Sequence, residues 1–198
     1  MKKKGFTLIE MVVVMAIVLI LGTFSTLSVI KMIERNDYKK IKTIIPKMIS
    51  VEAIKAFEEG DDKVVEINMD SDEEYIKSEN SEQQLPKSYT YSIYLVARKN
   101  SGEMKSSGTV EIGSSGKAYF KIDGEGKLGE IQIDSGDTYE DLTEKYHPAI
   151  LVEKNDVPFC RVDTISSKYI TPKIYVYKPN DDATSEDMGD ESKWTLDN

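Results

Sequence analysis

The sequence predicts an α+β fold in which a long N-terminal α-helix packs on a mainly antiparallel β-sheet head. Three observations carry this: an apolar run from Met11 to Ile30, a helical apolar period that persists to about residue 59, and a change to strict alternation beyond Gly60. The expected organisation is a leader at 1–5, a transmembrane helix at 6–30, its amphipathic continuation at 31–59, a β-rich head at 60–178 and an acidic, mobile tail at 179–198.

The first element is a membrane span with one discordant group. Met11 to Ile30 would rise roughly 30 Å as a helix, which matches a bilayer core. Glu10 stands at its start, and an acidic side chain in a spanning helix costs roughly 2.5–3.5 kcal/mol on insertion scales. Cleavage after Gly5 would remove the basic leader Met1–Gly5 and leave a positive amine on Phe6, one helical turn from Glu10. The same amine could pair with Glu10 of a neighbouring molecule shifted along the axis. At about 4 Å and an effective dielectric near 20, that attraction is worth about 4 kcal/mol before desolvation, comparable with the insertion penalty.

Two plainer explanations fit less well. A secretory signal peptide has an apolar region of about 7–15 residues ending in a small-residue cleavage site, and neither feature is present. A simple signal anchor fits the length and leaves Glu10 unexplained.

The run Lys4-Gly5-Phe6-Thr7-Leu8-Ile9-Glu10 and the apolar stretch behind it resemble the N-terminal signature of type IV pilins and pseudopilins. The resemblance covers about the first 30 residues and, in outline, the layout of long helix plus globular head. It implies a pilin-like fold, cutting between Gly5 and Phe6 by a membrane-embedded prepilin peptidase, and N-methylation of Phe6. It also assigns Glu10 to assembly. A subunit of this kind waits in the membrane and is extracted into a helical filament with the apolar helices in its core. Its implied partners are prepilin peptidase, other pilin subunits, the filament assembly machinery and the membrane.

Charge alone leaves orientation open. Lys2, Lys3 and Lys4 precede the span, while Lys31, Arg35, Lys39, Lys40, Lys42 and Lys47 follow it. The processing motif puts the leader in the cytoplasm and the head outside. The basic stretch then becomes a helix face suited to acidic surfaces of adjacent subunits.

From Lys31 to Glu59, Ile41, Ile44, Ile45, Met48, Val51, Ile54 and Phe57 recur at helical intervals and predict a stripe lying on a sheet. Pro46 should bend this helix, because its ring removes a backbone hydrogen bond, and Gly22 should soften the span. Some pilins carry a proline within the span; this chain has none.

Strands are expected at Val64–Met69 and, after an acidic serine-rich loop at 70–87, at Tyr89–Arg98 as a central strand. A meander should follow through Val110 and Ile112, then Ala118, Phe120 and Ile122, then Ile131 and Ile133. Asp137–Tyr146 reads as a short helix around Leu142, stopped by Pro148, with a strand at Ala149–Glu153 behind it. The last strands are Cys160–Thr164 and Lys168–Lys178, the latter an edge or broken strand because of Pro172.

The chain has 198 residues, 31% of them charged, and a formal net charge of -9. Loss of the three leader lysines would take it to about -12, which disfavours nucleic acid, because duplex binding needs a basic footprint. His147 and Cys160 are single residues of their types with no nucleophile motif around them, so no enzymatic activity is expected. No metal and no cofactor is expected either. Asp123-Gly124-Glu125-Gly126 lacks the spacing of a calcium loop and reads as a hairpin turn; Asp181, Asp182, Glu186, Asp187, Asp190 and Glu191 are a better cation candidate, but read first as a solvated tail. One cysteine forms no intrachain disulfide, whereas many pilins staple a C-terminal loop with one. Trp194 either anchors the tail or is disordered with it. The tyrosine-rich strand faces suit core packing first and adhesion second.

Two functions follow. One is a structural subunit, a minor pilin or pseudopilin, of a type IV pilus or related secretion or DNA-uptake filament. The other is a solitary membrane-anchored protein whose head binds something outside the cell.

Overall fold

A computed structural model describes residues 7–71, 73–97, 108–134, 136–140, 142, 146–166 and 172–197, with backbone only for 21–27. The chain divides into two units, Met1–Lys39 and Lys40–Asn198. Helix α1 (Leu8–Glu59) contributes to both. Among the described residues no helix is long and apolar enough to cross a membrane. The described side chains of the apolar run stop at Ile20 and resume at Ser28.

The second unit is built on helix residues 40–59 and two antiparallel sheets. Ile41, Ile45, Met48, Ile49, Ala53 and Ala56 form the buried stripe of the helix. This stripe is turned from the expected one: Val51, Ile54 and Phe57 are exposed, and Ile44 is half-buried. Small alanines do the inward packing where larger residues were expected to, because they let the backbone come close. The turn at Gly126 does come close, with φ +76° and the Ala53 carbonyl only 2.7 Å from where a Cβ would stand. Pro46 lies within α1 without ending it.

The first sheet contains β1 (Lys63–Asn68), β2 (Tyr75–Ser78), β3 (Ser81–Gln84), β6 (Lys117–Ile122), β7 (Leu128–Ile133) and β8 (Thr138–Tyr139), in the order β3-β2-β1-β6-β7-β8. The second contains β4 (Thr90–Ala97), β5 (Thr109–Gly113), β9 (Tyr146–Lys154), β10 (Val157–Ile165), β11 (Lys173–Pro179) and β12 (Trp194–Leu196), in the order β12-β11-β10-β9-β4-β5. Val65, Ile67, Phe120, Ile122 and Ile131 make up the inner face of the first sheet by simple alternation. Tyr91, Ile93, Ile150, Val152, Cys160 and Val162 are buried in the second.

Several expectations are corrected. The supposed loop at 70–87 holds the β2–β3 hairpin, whose four-residue strands are too short to show a period. The expected meander is split: β5 pairs with β4, whereas β6 and β7 join β1 in the other sheet, so the turn at Ser114-Ser115-Gly116 passes between sheets. In place of the helix at 137–146, residues 138–139 pair with β7, and 141 and 143–145 lie outside the described residues. Pro148 lies inside β9, opposite Leu95, at a point where the pairing with β10 has already ended at Ala149. A residue without an N–H is tolerated there because β9 has a partner on only one side. β11 begins directly after Pro172 and is flanked by β10 and β12, so it is not an edge, and residues 168–171 of the expected strand lie outside the described residues.

The tail is the largest departure. Residues 185–189 and 191–193 are short 3-10 turns, and Trp194 begins a strand that pairs with β11. Met188 and Trp194 are buried against Val96, Ala149 and Leu151. Asp182, Asp187 and Asp190 spend their charge locally, on Lys193, Thr184 and Ser192 respectively, which lets an acidic segment fold tightly.

Candidate processing and assembly site

Gly5 and Phe6 lie outside the described residues. Glu10 is described, and its surroundings explain how a carboxylate is accommodated here. Thr7 precedes the first helical residue, and its Oγ1 accepts from the Glu10 N–H at 3.3 Å. Glu10 Oε2 in turn accepts from the Thr7 backbone N–H and from its hydroxyl, both at 2.8 Å. This is a reciprocal capping box, in which the side chains three residues apart satisfy helix N–H groups that have no intrahelical acceptor. The carboxylate also stands at the positive end of the helix dipole. Thr-x-x-Glu is legible in the sequence, so the part played by Thr7 was available there and was overlooked.

Apolar side chains follow on every side of the helix: Leu8, Ile9, Met11, Val12, Val13, Val14, Met15, Ile17, Val18, Leu19 and Ile20 are all exposed, Leu8 by 84%. A helix apolar all round its circumference requires an apolar environment, since water leaves so large a surface unsatisfied. The helix start thus combines a capped anion with a surface made to be covered.

The other candidate residues lie in the second unit. Strand alternation puts His147, Ala149 and Leu151 on one face of β9, and Cys160 opposite Val152 on the other face. His147 and Cys160 therefore point to opposite sides of the sheet and cannot act as a nucleophile and base. Burial pushes the Cys160 thiol up, far from a reactive thiolate. His147 Nε2 instead donates to Asp163 Oδ2 at 3.1 Å. In the turn at 123–126, Asp123 Oδ1 accepts from the N–H groups of Glu125 and Lys127, and Asp62 accepts from Gly124. The carboxylates shape the hairpin. Among the described residues no group of three His, Cys, Asp or Glu side chains is arranged to hold a metal ion.

Sequence reasoning had no signal for a buried polar cluster in the second unit. Arg161 and Asp163 share a face of β10 by alternation, and His147 joins them only because β9 and β10 pair in one particular register around the tight turn at Asn155-Asp156, where both residues have positive φ.

No curated protein and no solved structure matches the chain. Residues 1–26 match the family described as the prokaryotic N-terminal methylation motif. The run from the leader through the capped Glu10 and into the apolar helix thus coincides with that motif.

Proposed function

We propose that the protein is a structural subunit, a minor pilin or pseudopilin, of a type IV pilus or a related secretion or DNA-uptake filament. The observation that carries this is the order of groups at the N-terminus: three lysines, Gly5, Phe6, the carboxylate of Glu10 and then an apolar run of bilayer length. Prepilin peptidase cuts between Gly5 and Phe6 and methylates the new Phe6 amine. The chain then waits as a single-pass membrane protein with its head outside, and passes into an extracellular filament beside other pilin subunits, drawn by the assembly machinery.

In this reading Glu10 has two tasks. In the waiting subunit its Thr7 cap and the helix dipole lower the cost of holding a carboxylate near hydrocarbon. In the filament it receives the ammonium of a neighbouring Phe6. The apolar surface of the helix, costly in water, is covered first by lipid and then by other helices.

Mass spectrometry of the mature N-terminus tests the processing step. Residues 1–5 should be absent and Phe6 should carry one methyl group; a mature chain still beginning at Met1 would sink the proposal. Glu10→Ala should leave the protein inserted in the membrane and abolish its incorporation into filaments. If that variant retains every activity, the head of a solitary tethered protein becomes the better account.

A further inference from the structure

We infer that residues 180–197 form a detachable strap, locked onto the outer face of the second sheet by the guanidinium of Arg161. This goes beyond the filament reading and does not depend on it.

The lock is made of four elements. Arg161, on β10, is 4% exposed, and its Nε and Nη2 donate to the two carboxylate oxygens of Asp163, each at 2.5 Å. Its remaining terminal nitrogen, Nη1, donates to the backbone carbonyl of Met188 in the strap. The guanidinium carbon also lies 5.5 Å from the ring centre of Tyr177 on β11 and 5.8 Å from that of Trp194 on the strap. His147, on β9, completes the carboxylate by donating to Asp163 Oδ2. One cation thus ties the sheet to the segment through a hydrogen bond and an aromatic face together.

The strap is otherwise self-contained. Asn180 donates to the Ser192 carbonyl and accepts from Thr195, Asp182 pairs with Lys193, and the Trp194 indole N–H donates to the Asp187 carbonyl at 2.9 Å. These bonds begin and end inside the segment, so they survive its lifting. Its hold on the rest of the unit includes three residue pairs with β11, the Asp197 N–H bond to the Val176 carbonyl, the side chains of Met188 and Trp194, the ion pairs of Asp197 with Lys178 on β11 and Lys42 on α1, and Arg161. Beneath it lies the apolar strip Val96, Ala149 and Leu151. A fork-shaped cation therefore occupies the role that a covalent cross-link would fill in a chain with two cysteines.

Trp194 is the single tryptophan of the chain and reports the strap directly. The full chain in detergent micelles should be compared with the double variant Arg161→Met/Asp163→Leu, which removes the lock without stranding a buried charge. Hydrogen exchange across 180–197 should accelerate by roughly 10- to 100-fold, the leverage expected of a hydrogen bond to a charged group. Acrylamide quenching of Trp194 should rise in parallel, while exchange in β1, β6 and β7 stays as it was. Met188→Ala is the companion variant. It loosens the strap from its own side and touches none of the buried charges, and it should produce the same pattern more weakly. Unchanged exchange and quenching in the double variant would overturn the inference. So would simultaneous acceleration throughout the head in both variants, since strap and sheet would then open only as one.

Discussion

Gly126 shows how much of this molecule depends on single positions. Its positive φ and the Ala53 carbonyl 2.7 Å from a notional Cβ mean that Gly126→Ala meets both backbone strain and a close contact. The expected loss is about 1–3 kcal/mol, read by urea unfolding. Asp163 behaves differently, because its effect depends on pH. Burial pushes its carboxyl up, but the His147 hydrogen bond and the Arg161 charge outweigh this and hold it below the usual carboxylate range. A depressed folded-state value contributes stability above the unfolded value of about 3.9 and loses it as pH falls through the folded one. Unfolding midpoints should therefore drop more steeply below about pH 4 in the native chain than in Arg161→Met/Asp163→Leu. At this scale the Thr7–Glu10 cap was legible, because capping depends on neighbours in sequence. The meeting of His147 with Arg161 and Asp163 was not, since only strand register brings β9 against that pair on β10.

Helix α1 illustrates what periodicity can and cannot fix. The helix itself was plain in the sequence, but the direction of its buried face was not, because Val51, Ile54 and Phe57 continue an apolar stripe on the exposed side while two alanines complete the buried one. Truncation tests the phase directly. Ile45→Ala, at a fully buried position, should cost about 2–5 kcal/mol. Ile54→Ala, at a side chain 46% exposed, should change stability by less than about 1 kcal/mol. Thermal melts of the two variants measured side by side decide it. Among the strands, the long alternating ones at 63–68, 90–97 and 117–122 were readable. The β2–β3 hairpin was hidden because Ser81–Gln84 is polar and exposed throughout, so no inside and outside pattern exists to be read. The C-terminal segment misled by composition: its acidic residues suggested disorder, while Lys193 pairs with Asp182, and Thr184 and Ser192 hydrogen-bond Asp187 and Asp190.

For the molecule as a whole, the division at Lys39 and Lys40 separates two kinds of surface. The second unit carries its own buried core, from Ile41 on the helix to Trp194 at the far end of the chain. A fragment of residues 40–198 should therefore be soluble and unfold in one cooperative transition, followed by circular dichroism in urea. A fragment that stayed unstructured would mean that the first unit is needed for folding. The α+β class was legible because the change of period near Gly60 is sharp. The sorting of strands into two sheets was not, because a turn such as Ser114-Ser115-Gly116 looks the same whether it returns to its neighbour or passes to another layer.

The lone thiol of Cys160 makes the head indifferent to the redox state of its surroundings. It is sealed within the sheet and held in its protonated form by burial. Folding of this head therefore needs no disulfide oxidase or disulfide isomerase, and should proceed alike in anaerobic and aerated surroundings. Copies crowded side by side gain no stray covalent link through sulfur.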